Sequence, residues 1–232
     1  MPLATECDQR TQIRWGIADF ERHFGRHPEG MWLAETAINL TTARLLVDEG
    51  IRFTILSPFQ AEKVRTFFSN AWEDVSTGTI DSTQPYRVFV DEKQTRYLDV
   101  FFYDASISSA VSFEHLLRDS RVFADRLLLA AGPKDGRPTL VHIATDGESY
   151  GHHEPFGDMC LAYFFKHLAP EYQFKLINYA YFLERHPPVS EVALKSGTDG
   201  EGTAWSCFHG VERWKKDCGC STGGGAGVTG GG

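Results

Sequence analysis

The chain has 232 residues, 42% apolar and 13% aromatic, enough for one large domain or two small ones with a substantial core. Its formal charge is −8 and no basic run exceeds Lys215-Lys216, which argues against a phosphate-tracking surface and against nucleic acid as a partner. No apolar run reaches bilayer-spanning length, the segment Met1 to Arg10 lacks the apolar centre of a signal peptide, and five cysteines form no even framework, so the expectation is a cytoplasmic protein with no membrane partner.

Residues 9–24 carry Ile13, Ile17, Phe20 and Phe24 on one helical face, with Gly25 as the stop. Gly30 to Glu35 is a short apolar run that predicts a buried strand ending at Glu35. Asn39 caps a second helix running to Gly50, with Leu40, Ala43 and Leu46 or Val47 inward. Ile51, Phe53 and Ile55 then alternate as in a strand. Ser57-Pro58-Phe59-Gln60 reads as a capping box that opens a helix through Ala61, Val64 and Phe67. Tyr86–Val90 and Tyr97–Tyr103 predict a β-hairpin around a polar stretch. Residues 112–131 read as a helix, and Gly132 to Pro138 as a turn cluster. Thr139–Ala144 predicts a buried strand ending at Thr145-Asp146. Helices follow over about 154–168 and 178–185, the second stopped by Pro187-Pro188.

Strands alternating with helices imply βαβ units and a mainly parallel sheet, so the fold class expected is α/β. Right-handed crossovers then place Glu35 and Asp146 at strand C-termini on one face, where such folds carry their chemistry. Two carboxylates there are the minimum equipment for glycoside cleavage. One attacks the anomeric carbon and the other protonates the leaving oxygen. Such a site needs environments that separate the two pKa values. Trp32 and Tyr150 offer faces for sugar stacking. Read from spacing alone, Glu35 better suits a helix-start charge or ion pair and Asp146 a plain Asp-Gly turn, and Glu148 competes for the acid role.

Gly30-Met31-Trp32-Leu33-Ala34-Glu35, with the helix and strand after it, resembles the nucleophile region of glycoside hydrolase family 57, where a Trp stands three residues before the catalytic Glu. Ala144 to His153 (ATDGESYGHH) is similar to that family's acid/base region, in which the Asp of an Asp-x-Glu precedes an aromatic-Gly pair. Phe182 to Pro188 and the Trp205-to-Cys220 stretch resemble a bacterial subgroup of unknown function within the family. The resemblance spans about residues 9–222. It implies a partial (β/α)7-type barrel followed by a helical or irregular region, with a catalytic region over 1–170 and an extension over 171–222; the composition of 223–232, nearly all Gly, separately predicts a disordered tail. The resemblance further implies a retaining hydrolase or transglycosylase acting on an α-glucan-like oligo- or polysaccharide, with no cofactor. Glu35 would be the nucleophile and Asp146 the general acid/base, with Trp32, Glu148, Tyr150, His152 and His153 at the substrate. The family's first motif, a strand carrying His and Gln-Pro, has no counterpart here. Met1 is therefore expected to be internal to a longer enzyme, and a barrel short of its first strands to be poorly soluble or inactive alone.

Two other readings stand beside this one. A non-catalytic relative would bind saccharide through Trp32 and Tyr150. A metal-dependent carbohydrate deacetylase would use Asp146, His152 and His153 as ligands, although adjacent histidines usually point apart. Cys207, His209, Cys218 and Cys220 cluster near the C-terminus. Cys-x-His and Cys-x-Cys are tighter than the usual zinc spacings, so a reduced thiol set and no metal is the expectation.

Overall fold

The computed structural model describes residues 1–132 and 136–220. The expected Gly-rich tail over 223–232 lies outside the described residues, as does part of the Gly132–Pro138 turn cluster. Helix α1 (Glu6–Phe24) begins at Thr5, whose side chain accepts from the Asp8 amide, and ends at Gly25 with φ 65°. Ile13 and Ile17 are buried while Phe24, expected on the same face, is exposed. Helix α2 (Leu40–Asp48) is capped by Asn39, and its Ala43, Leu45 and Leu46 are buried. Among the described residues no helix is long and apolar enough to cross a membrane.

The sheet has the order β1-β5-β4-β6-β2-β3 among the described residues. Its strands are β1 (Phe53–Leu56), β2 (Ala61–Thr66), β3 (Glu73–Asp74), β4 (Pro85–Phe89), β5 (Tyr97–Phe102) and β6 (Ser190–Leu194). β1 and β5 are parallel, with Leu56 opposite Phe102. β4 and β5 form the expected hairpin, and β6 pairs with β2 antiparallel and with β4 parallel. The class is α/β as expected, but the sheet is mixed where the alternation of elements predicted mostly parallel pairing.

The central strands are buried on both faces. Leu98, Val100 and Phe102 of β5 join Leu56, Val88 and Val192 under α1 and α2. On the other face Phe101, Phe53 and Leu140 pack on Phe182 and Leu183 of a C-terminal helix. That two-sided burial explains why Val100, Phe101 and Phe102 follow one another in β5 without polar residues between them. Each fully buried side chain of this size contributes about 1.5–3 kcal/mol relative to exposure.

Three expectations change in the fold. Ser57 and Gln60 do form the capping box, but only a single 3-10 turn (Pro58–Gln60) follows before the chain extends into β2. Pairing with both β6 and β3 overrides the local helix signal. The helix expected over 112–131 is split into α3 (Ala105–Phe113) and α4 (Ser120–Ala130). His115 adopts φ 57° between them, and Asp119 caps the second. The Thr139–Ala144 strand is extended without joining a ladder. Its ties are Leu140 N to the Thr83 carbonyl (3.0 Å) and Asp104 N to the His142 carbonyl (3.0 Å). After it come α5 (Gly157–Tyr163), which runs through a π-helical turn (Phe164–Leu168) into the short α6 (Ala169–Glu171), and then α7 (Tyr179–Arg185). The α3, α4 and α5 segments share a separate core built on Ile107, Phe123, Leu127 and Phe164.

Candidate active site

Glu35 is delivered by an extended segment laid beside β1. Gly30 bridges Phe53, the Met31 amide donates to the Phe53 carbonyl (3.1 Å), and the Met31 carbonyl accepts from Thr54 Oγ1 (2.8 Å). Gly30 is required there, because a Cβ would sit 2.3 Å from the Phe53 ring. After buried Leu33 the chain turns sharply. Glu35 takes φ 60°, ψ 18°, and Thr36 takes φ 50°. Two successive non-glycine residues in the left-handed region are costly, by about 1–3 kcal/mol each, and persist only where surrounding contacts over-determine them.

Those contacts come from a distant segment. Ile38 and Thr203 exchange both backbone hydrogen bonds (3.0 Å each), and the Trp205 amide donates to the Glu35 carbonyl (3.1 Å). Gly202, at φ 107°, permits this approach, since a Cβ would fall 2.4 Å from the Ile38 oxygen. Buried Gln60 fastens the pieces. Its Oε1 accepts from Thr36 Oγ1 (2.7 Å) and Ser57 N (2.9 Å), and its Nε2 donates to the Thr36 carbonyl (2.9 Å) and to Thr203 (3.2 Å).

The Glu35 side chain remains exposed, yet it is oriented. Trp205 Nε1 and Ser206 Oγ both donate to its Oε2, at 3.0 and 2.5 Å. Donors of this kind to a carboxylate are about twice as strong as neutral pairs. The Trp205 ring meets Trp32 edge-on at 5.2 Å and Tyr103 at 6.1 Å. Burial pushes the Tyr103 phenol upward, so it serves here as a neutral wall. Trp32 is 45% exposed and borders a shallow groove of about 360 Å³ that includes Met31, Gly16 and Phe20.

Asp146 follows the extended 139–144 segment, which is tied to the residues just after β5. Tyr103 leaves β5 toward Trp205, while Asp104 N takes the His142 carbonyl. Ala144 N then donates to Ser108 Oγ (3.1 Å), one turn further along α3. Asp146 opens a 3-10 turn (Gly147–Ser149), makes no capping bond with its side chain, and is exposed. Tyr150 hydroxyl and Thr145 Oγ1 are hydrogen-bonded at 2.9 Å. The Glu148 carbonyl accepts from the His152 and His153 amides (3.2 and 2.8 Å), and the two imidazoles pack at 4.9 Å, both exposed. Buried Glu154 anchors this loop through Arg118 Nε (2.9 Å) and His115.

A family model for glycosyl hydrolase family 57 matches residues 1–195. The chain belongs to glycosyl hydrolase family 57. Among solved structures it is similar to a family 57-type branching enzyme from Pyrococcus horikoshii, with TM-score 0.68 and 17% identity over 93% of this chain and 48% of that one. It is also similar to a 4-alpha-glucanotransferase from Thermococcus litoralis, with TM-score 0.54, 18% identity and coverage of 82% and 26%. A branching enzyme from Thermococcus kodakaraensis matches at TM-score 0.54 and 18% identity, covering 90% and 48%. No curated protein matches the chain. The chain thus spans between about a quarter and a half of these relatives' lengths, and its mixed sheet is part of the family's (β/α)7-type barrel.

In this family 57 chain the deacetylase ligand set is not assembled. Among the described residues, the group of His, Cys, Asp or Glu side chains close enough to share a metal ion is Cys207, His209, Cys218 and Cys220, not Asp146 with His152 and His153. Sequence reasoning missed Trp205, Ser206, Gln60 and Tyr103 as site residues. Trp205 lies 170 positions after Glu35, and only the contact between the two segments reveals its role.

Proposed function

We propose that this chain carries the catalytic carboxylates of a retaining glycosidase or transglycosylase acting on an α-glucan-like saccharide. The observation that supports it most is Glu35. It is held in a strained backbone conformation at the C-terminal end of the β1–β5 pair, with Trp205 and Ser206 aimed at one carboxylate oxygen. Strain maintained by a buried network is characteristic of sites that position a reacting group.

In the first step Glu35 Oε1 attacks the anomeric carbon, the glycosidic C–O bond breaks, and Asp146 gives its proton to the departing oxygen. Negative charge leaves Oε1 as the ester forms, and the Trp205 and Ser206 donors stay on Oε2, the carbonyl oxygen of that ester. In the second step Asp146 removes a proton from water or an acceptor hydroxyl, which attacks the same carbon and releases Glu35. Trp32 stacks on a sugar ring at the mouth of the groove. Tyr150, Glu148, His152 and His153 contact hydroxyls on the Asp146 side. The family match and the glucan-active neighbours support the substrate class.

Glu35→Gln should lower kcat at least about a thousandfold while leaving saccharide binding measurable. Asp146→Ala, given an activated glycoside and azide, should recover turnover and yield a glycosyl azide of retained configuration. Full activity in Glu35→Gln would remove the nucleophile assignment. Binding without turnover in the unaltered protein would make the chain a saccharide-binding module instead.

A further inference from the structure

We propose that Cys207, His209, Cys218 and Cys220 bind one zinc ion, and that this ion fixes the segment whose Trp205 and Ser206 hold Glu35. The four ligand atoms lie within 4.8 Å of one another. Cys207 Sγ is 3.8 Å from Cys218 Sγ and 3.9 Å from Cys220 Sγ, and His209 Nδ1 is 3.3 Å from Cys220 Sγ. Zinc–sulfur bonds of about 2.3 Å in a tetrahedron place sulfurs about 3.8 Å apart, which the measured separations match. Three thiolates and one imidazole are a soft donor set that suits zinc and is common in structural sites. None of the cysteines is in a disulfide.

The spacing that argued against a metal applies to each pair alone. The fold instead sets the Cys207/His209 pair against the Cys218/Cys220 pair. Cys207 to Gly210 closes a tight turn, with the Gly210 amide on the Cys207 carbonyl (3.1 Å). Gly219, at φ 73°, reverses the chain between the other two sulfurs, and its amide donates to Asp217 (3.0 Å). Loading the site releases the thiol protons to solvent and leaves a net charge of about −1 from three thiolates on a dication. Arg213, Lys215 and Lys216 lie in the connecting loop, and Arg213 also donates to the Ser206 carbonyl (2.6 Å). The metal would therefore sit one residue beyond Ser206, outside the sugar site, as an anchor rather than a reagent.

The test uses the protein purified under reducing conditions without chelator. Elemental analysis should give one zinc per chain, and a mercurial that modifies its three thiolate ligands should release it. Cobalt substitution should give tetrahedral ligand-field bands together with thiolate-to-cobalt charge transfer. Cys218→Ser should weaken zinc at least about tenfold. Zinc removal from the unaltered protein should shift its tryptophan emission, to which Trp205 and Trp214 beside the site contribute, a readout that does not depend on any glycosidase activity. Absence of stoichiometric metal and of the cobalt spectrum in the folded protein would overturn the assignment. So would stoichiometric iron in place of zinc, or a mass showing two cysteines oxidised to a disulfide. Loss of zinc with activity intact would retain the site and refute its anchoring of Glu35.

Discussion

Replacing Gln60 with Met isolates the network that holds the Glu35 turn. Gln60 is 1% exposed. The substitution preserves side-chain volume but leaves Ser57 N, the Thr36 carbonyl and Thr203 Oγ1 without the amide that pairs them, while the Thr203 carbonyl keeps the Ile38 amide. Thr36 Oγ1 keeps its bond to the Glu35 carbonyl (2.7 Å) and is not orphaned. Each buried group left unpaired costs about 1–3 kcal/mol, and relaxation and water recover part of that, so the expected loss is about 3–5 kcal/mol. In a protein of this size that corresponds to a fall in Tm of about 6–20 °C. Urea unfolding followed by tryptophan emission, extrapolated to water, measures it. Thr203→Val, which removes only the hydroxyl, should cost about 1 kcal/mol. If Gln60→Met lies within 1 kcal/mol of the unaltered protein, the network is not what enforces the strained backbone.

Two further predictions concern buried charge. His142 is buried, donates from Nε2 to the Ser82 carbonyl (3.2 Å) and accepts at Nδ1 from the Tyr179 hydroxyl (3.0 Å); desolvation holds its pKa down at about 4 against an ordinary 6.5. The unfolded chain takes up this proton near pH 6.5 and the folded chain only near pH 4, so stability should decline across that window as pH falls, by up to about 3 kcal/mol. His142→Asn should remove that step from the curve of Tm against pH, and an unchanged slope would refute the assignment. Arg87 pairs with Asp99 across β4 and β5 (2.8 and 3.2 Å). Burial pushes the Asp99 carboxyl above its ordinary value even so. Arg87→Met should cost about 3–5 kcal/mol at pH 7 by stranding the carboxylate. The folded state favours protonated Asp99, so the penalty should shrink as pH falls, and urea midpoints at pH 7 and pH 5 would reveal a penalty that does not.

Local signals settled much of this protein before any contact was known. Asn39 and Gly25 mark helix ends because a cap satisfies backbone groups within a few residues of itself, whereas the Thr5 cap, four residues before the expected start of α1, escapes the sequence reading. The β4–β5 hairpin was legible from two apolar runs around a polar one, and the proposed roles of Glu35 and Asp146 start from the short spaced motifs that hold Trp32 and Tyr150. Tertiary pairing decided the rest. The Ser57–Gln60 box reads as a helix start, yet Gln60 is drawn into bonds with Thr36 and Thr203, and the following residues become a strand between β6 and β3. The donors to Glu35 and the convergence of Cys207 and His209 on Cys218 and Cys220 depend on where distant or oppositely directed segments meet. Spacing along a chain records neither, because a hydrogen bond or a shared ligand sphere is fixed by distance in space and not by separation in sequence.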